Sequence, residues 1–338
     1  MHGKLNGKLK RMMAACGVLG ISAALGGCGN RTLQFSLVPV HARIAPKIVH
    51  AAKTIFPSPD IAVVNISGLL VDSKGGGVLG NGHNPVSSLH EALEEIEEND
   101  NVKAVVLRMN TPGGTVTASD MMYRDIMRFK RKTHLPVIAS MMDVCASGGF
   151  YVSCAADYRV AYPSTITGSI GVMVQLLNFR GLLNKIGVSA PALVSGPNKE
   201  MGSPFKRLTP HDRKLLMHFV HEDYHHFVRL VKRTHRRVNP RNWKKLTDGR
   251  VVSGRDAARY HLINQIGGLH FAIKLAKRLT GIRHANVLLY TRQAGEPGTI
   301  YSKAPNVVPQ MNLINVNFGQ AASYFGMHKG FYYLYMGP

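Results

Sequence analysis

Short apolar runs alternate with amphipathic segments along the first half of the chain. The runs 61–66, 103–109 and 136–142 are rich in valine, isoleucine, alanine and methionine, and each predicts a buried strand. Between them, residues 87–98 and 118–131 have the spacing of amphipathic helices. Strands that alternate with helices at this spacing are typical of parallel βαβ units. The pattern therefore predicts an α/β fold.

The second half of the chain predicts a helical extension. Residues 210–237 form a long amphipathic helix in this prediction, and its apolar stripe consists of Leu215, Leu216, Phe219, Phe227, Val228 and Val231. Further helices are predicted from about Gly254 and over 270–280. The end of the chain, 330–338, carries no charged side chain and is hard to leave in water. We expect it to pack on its own domain or on a neighbouring subunit.

The amino-terminal segment has the pattern of an export signal. Lys4, Lys8, Lys10 and Arg11 precede an apolar run over 12–25. The sequence Leu25-Gly-Gly-Cys28 resembles the lipobox of bacterial lipoproteins, in which cleavage exposes a cysteine that is then lipid-modified. We therefore predict a signal peptide over 1–27, a lipid anchor on Cys28 and a tether over 28–58. An ordinary signal peptide or an uncleaved anchor is the alternative.

The chain is strongly basic, with 42 Lys and Arg against 19 Asp and Glu and a net charge of +23. Removal of residues 1–27 takes away four positive charges and leaves +19. Basic side chains concentrate in residues 206–250, so anionic lipid is a candidate partner; a generally basic environment is the alternative. No nucleic-acid recognition motif is present, and no nucleic-acid partner is expected. Cys145 and Cys154 are expected to be buried small side chains.

Two glycine-rich turns each follow a predicted strand. In Thr111-Pro-Gly-Gly114 the glycines let backbone N–H groups approach a ligand without a Cβ in the way. In Ala146-Ser147-Gly148-Gly149 the serine stands where a strand gives way to a helix, so its hydroxyl can project towards free N–H groups. Ser147 is therefore a candidate nucleophile, and Gly114 and Gly148 are candidate donors to an oxyanion. A plain strand–helix connection is the alternative for either turn alone.

A serine nucleophile needs a base, because its hydroxyl is weakly nucleophilic by itself. The chain has 16 histidines, but none stands beside a recognisable partner. A lysine held in an apolar, water-poor pocket is the other option, and Lys199 lies in a turn of small residues. From composition alone Lys199 is one basic residue among 42. The residues by themselves therefore leave the base open.

Five motifs, in order along the chain, resemble those of the signal peptide peptidase A family, serine peptidases of group S49. They are Thr111-Pro-Gly-Gly114, the segment 143–151 (DVCASGGFY), Thr167-Gly-Ser-Ile-Gly-Val172, Lys199 followed by Gly202-Ser-Pro-Phe205, and Asp248-Gly-Arg-Val251. The resemblance covers residues from about 60 to about 280. It implies the ClpP/crotonase-like fold of repeated ββα units, here with a helical extension.

The resemblance also implies roles for individual residues. The catalytic serine of the family falls on Ser147 and its catalytic lysine on Lys199, and Ser169 matches a serine that orients the lysine amine. The departures from the usual pattern remove no catalytic atom; they are Thr111, Cys145 and Phe150. Short members of the family form ring-like or dome-like oligomers in which neighbouring subunits share a site. A homo-oligomer is therefore expected, and no cofactor.

These inferences predict a membrane-tethered, extracytoplasmic serine endopeptidase that degrades signal peptide remnants and similar apolar peptides. The peptidase domain is predicted over 59–285, followed by a carboxy-terminal extension over 286–338.

A second motif favours a different class of peptidase. His221-Glu-Asp-Tyr-His225 matches the zinc motif H-E-x-x-H on a predicted helix, with His218 nearby. No third ligand is evident and Asp223 adds a charge inside the motif, so we interpret this stretch as a solvated basic face and expect no metal. A zinc protease, a crotonase-type acyl-coenzyme A enzyme and a non-catalytic basic membrane-binding protein are the alternative functions.

Overall fold

The structure is a computed structural model that describes residues 44–54, 57–73, 84–292 and 331–334. The predicted signal peptide and Cys28 lie outside these ranges. Within them, no helix combines the length and the apolar character that a bilayer-spanning segment needs.

A mixed sheet forms the centre of the domain. The strands of its main path are β1 (Ile44–His50), β2 (Asp60–Leu70), β3 (Val102–Thr115), β4 (Val137–Ala146), β5 (Tyr158–Ala161), β9 (Gln265–Ile266) and β10 (Asn286–Arg292). They lie in the order β1-β10-β2-β3-β4-β5-β9, and every neighbouring pair is parallel except β1 and β10. The three strands predicted from apolar runs are confirmed as β2, β3 and β4.

The central strands are buried on both faces, which explains why they are continuous apolar runs in the sequence. Along β2, Ile61 and Val63 belong to one hydrophobic cluster, whereas Ala62 and Val64 belong to another, as the alternation of side chains along a strand requires. Helices α1 (Pro85–Glu97) and α2 (Val116–Thr133) contribute to the second cluster, and α8 (Leu269–Leu279) covers the first. The result is an α/β domain with helices on both sides of the sheet.

Strand β4 changes partner along its length. Residues 138–141 pair with β5, whereas 144–146 pair with the short strand β6 (Ile166–Gly168). Strand β8 (Val251–Ser253) pairs antiparallel with β6. Strands β7 (Met173–Val174) and β11 (Phe331–Leu334) pair antiparallel with each other. Strand β11 also pairs with the end of β3. The carboxyl ends of β3 and β4 therefore lie beside a second set of short strands, and this edge is the usual place for a ligand site in such sheets.

The helical extension follows these strands. It comprises α4 (Arg180–Lys185), α5 (Pro210–Thr234), α6 (Trp243–Leu246) and α7 (Gly254–Arg259), whereas the short helix α3 (Gly148–Ser153) lies between β4 and β5. A capping box begins α5, in which the Thr209 side chain and the Asp212 carboxylate each accept a hydrogen bond from the other residue's backbone N–H. Only the second half of the predicted α5 stripe is buried: Phe227 and Val231 are in the core, whereas Phe219 is 45% exposed.

Two segments differ from the predicted domain boundaries. Residues 44–50, predicted as part of the tether, form strand β1, which pairs antiparallel with β10. The sequence pattern does not predict this strand, because its side chains are half-exposed and Pro46 lies within it. An edge strand needs no continuous apolar run, and it tolerates a proline, which has no backbone N–H to donate. Residues 286–292, predicted as the start of an extension, form β10 inside the main sheet. The predicted α/β class with a helical extension is confirmed.

His235 joins the end of α5 to the rest of the core. Its side chain is buried, its Nε2 lies 3.0 Å from the carbonyl oxygen of Leu262, and its Nδ1 lies 2.8 Å from the Thr234 hydroxyl oxygen. Its ring packs against Phe150 in α3, with the ring centroids 5.3 Å apart. Burial, with a smaller contribution from Arg159, lowers the pKa of His235 to about 3. The imidazole is therefore neutral in the folded chain at neutral pH.

This buried histidine predicts an acid-dependent loss of stability. In the unfolded chain His235 is protonated below its ordinary pKa of 6.5, whereas in the folded chain it stays neutral down to about pH 3. The unfolded state therefore binds more protons between these two values, and the free energy of unfolding decreases as the pH falls through this window. The wild type should lose up to about 1.4 kcal/mol per pH unit more than His235→Gln. Urea unfolding at a series of pH values measures the difference, with His221→Gln on the exposed face of α5 as control. Parallel curves for the wild type and His235→Gln would contradict the assignment.

Candidate active site

Ser147 occupies the turn between β4 and α3 in a strained backbone conformation. Its φ is 52° and its ψ is −115°, whereas residues with a side chain seldom adopt positive φ. Two hydrogen bonds hold the turn: the Ser147 N–H donates to the Gly168 carbonyl oxygen at 2.8 Å, and the Tyr151 N–H donates to the Ser147 carbonyl oxygen at 2.9 Å. Strain of this kind clusters at functional sites, where the surrounding structure enforces it.

The Ser147 hydroxyl is buried without a hydrogen bond. The residue is 1% exposed, and its Oγ has no partner among the described residues. A buried polar group left in this state costs about 1–3 kcal/mol, so native structures seldom keep one without a function. The Ser147 hydroxyl thus keeps an unused hydrogen-bonding capacity inside the domain.

The first glycine-rich turn, predicted to follow the strand, lies within the last residues of β3, where the register of the strand shifts between 109 and 111. The Thr111 hydroxyl donates to the Gly68 carbonyl oxygen at 2.5 Å and accepts from the Gly113 N–H at 3.1 Å. Gly113 has a φ of 107°, a conformation that strongly favours glycine. Threonine therefore supplies the hydroxyl that ties this turn to β2, as the serine more usual at position 111 would.

The two glycine-rich turns touch each other. A Cβ on Gly113 would lie 2.7 Å from the Gly148 nitrogen, and a Cβ on Gly148 would lie 3.1 Å from the Gly114 nitrogen and 2.5 Å from the Ser119 hydroxyl oxygen. This approach is open only to glycine. The structure thus brings the two predicted oxyanion donors, Gly114 and Gly148, together beside Ser147.

Ser169 lies next to Ser147 through the pairing of β4 with β6. Ala146 and Gly168 are register partners, so each serine directly follows a paired residue. Ser169 is 7% exposed, has a φ of 51°, and donates its backbone N–H to the Arg250 carbonyl oxygen at 2.8 Å. The Asp248–Arg250 motif thereby fixes the turn that carries Ser169.

Lys199 is not in contact with the Ser147 hydroxyl in this chain. Its side chain is exposed, in a turn where its backbone N–H donates to the Gly196 carbonyl oxygen at 3.1 Å. No side chain between 175 and 209 is buried. A single copy therefore assembles Ser147, Ser169, Gly114 and Gly148, and leaves the predicted base apart from them.

The two cysteines near the site are buried and free, as predicted. Burial raises the pKa of the Cys154 thiol to about 11 and that of Cys145 further still. Both thiols therefore stay protonated at neutral pH and do not compete with Ser147 as nucleophiles.

The H-E-x-x-H stretch lies on α5, as the sequence indicates. His221, Glu222 and His225 are exposed, and the two imidazole centroids are 6.5 Å apart. Among the described residues there is no group of three or more His, Cys, Asp or Glu side chains that could hold a metal ion.

Sequence reasoning did not place the carboxy-terminal strand at the site. Strand β11 pairs with 113–115 at the end of β3, and the Tyr333 side chain is fully buried. The uncharged, aromatic end of the chain indicated burial, but the pattern carries no information on which surface receives it. Pairings across more than 200 residues are set by the tertiary fold.

The strained turn, the unpartnered serine hydroxyl and the close approach of the two glycine-rich turns form a candidate serine-centred site on an α/β sheet. Residues 129–283 match the model of peptidase family S49. This range contains Ser147, Ser169, Lys199 and the Asp248–Arg250 motif.

Known proteins from distant organisms are similar to this chain. A putative protease of Synechocystis is 32% identical over 61% of this chain and 73% of its own length. A putative protease of Methanocaldococcus jannaschii is 34% identical over 59% of this chain and 63% of its own length. The chloroplastic serine protease SPPA of Arabidopsis thaliana is 35% identical over 57% of this chain and 28% of its own length. The chain belongs to peptidase family S49, and it spans less than two thirds of two of these three relatives.

One solved structure similar to the chain is a mutant of ClpP1 from Listeria monocytogenes. It has 18% sequence identity and a TM-score of 0.40, and the similarity covers 62% of this chain and 94% of that one.

The close packing of Gly114 against β2 predicts that Gly114→Ala is severely damaging. A Cβ on Gly114 would overlap the carbonyl oxygen of Leu70, so β2 and β3 would have to move apart, at a cost of roughly 1–3 kcal/mol or more. The same substitution at Gly181, where no atom lies within 4 Å, should leave stability unchanged or raise it by up to about 1 kcal/mol. Urea unfolding of both variants checks this, and equal stability of the two would contradict the packing described.

Proposed function

We propose that this chain is a serine endopeptidase in which Ser147 is the nucleophile. The observation that carries the proposal is the buried, unpartnered Ser147 hydroxyl beside the backbone of Gly114 and Gly148. The hydroxyl attacks the carbonyl carbon of a peptide bond, and the N–H groups of the two glycines hold the oxyanion that forms. Membership of peptidase family S49 supports the same chemistry.

The base is Lys199 from a second copy of the chain. In one copy the Lys199 side chain is exposed while the Ser147 hydroxyl has no partner among the described residues. The surface around Lys199 is unusually apolar for one that faces water; its exposed large side chains are Leu177, Phe179, Leu182, Ile186, Val188, Leu193, Val194 and Phe205. On α5, Phe219 and Met217 are also exposed. Covering the surface around Lys199 with a second copy removes it from water.

Assembly also gives Lys199 the surroundings that a base needs. A lysine amine that leaves water for an apolar interface loses preference for its charged form, and it can then accept the Ser147 proton. Ser169 orients the amine in this proposal, and its position next to Ser147 through the β4–β6 pairing supports that role. After the attack, the lysine returns the proton to the leaving amine, and water hydrolyses the acyl ester.

The membrane is the proposed place of action. Cys28, outside the described residues, carries a lipid that holds the domain on the extracytoplasmic side, and the basic residues between 206 and 250 add attraction to anionic lipid. Peptides left in or near the bilayer, such as signal peptide remnants, are the proposed substrates.

If two copies share each site, two inactive variants should restore activity when they are mixed. Ser147→Ala and Lys199→Ala should each abolish peptidase activity, because each removes one half of every site, whereas Lys185→Ala, an exposed lysine in the same segment, should keep it. Oligomers reassembled from equal amounts of the two inactive variants should recover about a quarter of wild-type activity if copies mix at random.

The assay is turnover of a fluorogenic peptide, with mixed oligomers verified by native mass spectrometry. Full activity of Lys199→Ala would remove the lysine from the mechanism. Mixed oligomers without activity would place both groups in the same copy.

A further inference from the structure

Strand β11 inserts an extended segment of the chain directly into the site. It runs antiparallel to the end of β3, with Tyr333 opposite Gly114 and Tyr332 opposite Thr115. On its other side it pairs with β7, with Tyr332 opposite Met173. The groove between β3 and β7 is thus filled by a single strand that uses backbone pairing on both edges. Addition of a strand in this way is a general mode of peptide recognition.

The Tyr333 carbonyl group occupies the place between the two glycine-rich turns. A Cβ on Gly113 would overlap its oxygen and lie 3.0 Å from its carbon, and a Cβ on Gly148 would lie 3.0 Å from its oxygen. These turns carry the N–H groups assigned above to the oxyanion. Tyr333 therefore has the position of the residue whose carbonyl Ser147 attacks.

The Tyr333 side chain fills a pocket formed by α3 and α5. Its ring centroid lies 5.1 Å from that of Tyr151, in a stacked arrangement, and 4.6 Å from that of Phe227. Its hydroxyl donates to the carbonyl oxygen of Asp223 at 3.1 Å, and burial raises the pKa of the phenol, which keeps it a neutral donor. The Tyr151 hydroxyl is fixed in turn by Asp120 at 2.7 Å.

We propose that the groove between β3 and β7 is the peptide-binding site and that the α3–α5 pocket selects tyrosine on the amino side of the cleaved bond. Strand β11 is then an internal ligand that competes with substrate for this groove. The inference rests on the proposed peptidase function and adds to it a substrate class and a means of restraint. It also gives the H-E-x-x-H stretch a role, since the backbone of Asp223 inside it receives the tyrosine hydroxyl.

Two peptides that differ only in the residue before the cleaved bond test the pocket. Full-length wild type should cleave the tyrosine peptide with a kcat/KM at least about tenfold above that of the alanine peptide, because the pocket buries a whole aromatic side chain. Cleavage sites in a mixed peptide library, mapped by mass spectrometry, should be enriched in tyrosine at the same position. An active enzyme with no such preference would overturn the proposal.

A carboxylate at position 333 tests the competition. In Tyr333→Asp a carboxylate would be buried in this apolar pocket at a large cost in free energy, so β11 should leave the groove. If the groove of the wild type is open about a tenth of the time, KM for the tyrosine peptide should then fall about tenfold at unchanged kcat. Tyr333→Phe, which loses only the hydroxyl bond, should remain close to wild type. An unchanged KM in a folded Tyr333→Asp variant would make β11 a merely structural strand.

Failure of the proposed function would look different. In that case neither peptide would be cleaved by any variant, or cleavage would persist in Ser147→Ala.

Discussion

Everything at this site depends on the close approach of two backbone turns at the carboxyl ends of β3 and β4. Parallel neighbours end at the same edge of a sheet, so the Thr111–Gly114 turn and the Ser147–Gly149 turn must meet there. They meet so closely that a Cβ on Gly113 would lie 2.7 Å from the Gly148 nitrogen, and a Cβ on Gly114 would collide with Leu70 of β2. Glycine at these positions is a steric requirement, and as a result the buried backbone of the two turns lies directly beside Ser147. The strained φ of Ser147 is stable because this packing, and the bond to Gly168, over-determine it.

Beside this approach lies a groove whose backbone is paired on both sides by β11. The end of β3 and the short β7 lie far enough apart to admit one strand, and β11 pairs with both. Burial of Tyr333 then joins the groove to the helical extension, since Phe227 and the carbonyl of Asp223 belong to α5. In the proposed peptidase, an extended substrate takes the place of β11, and the apolar surface around Lys199 takes a second copy. Under this proposal, specificity and assembly are properties of the helical extension, whereas the proposed nucleophile belongs to the sheet.

The parts of this arrangement that local sequence specifies could be predicted. Continuous valine-rich and isoleucine-rich runs indicate strands buried on both faces, and β2, β3 and β4 follow them. Glycine and proline mark the two turns, so Ser147, Gly114 and Gly148 could be selected from the sequence alone. The parts that depend on distant pairing could not. Strand β1 is a half-exposed edge strand with Pro46, and β11 finds its partners more than 150 residues away. The position of Lys199 in one copy gives no contact with Ser147, and its proposed partner lies on another chain.

The most direct test of the central claim is covalent labelling of the assembled enzyme with a fluorophosphonate, followed by peptide mass spectrometry. The account predicts one adduct, on Ser147, formed in the wild type and strongly slowed in Lys199→Ala. An adduct on another residue, or none on Ser147 in an enzyme that cleaves peptides, would contradict it.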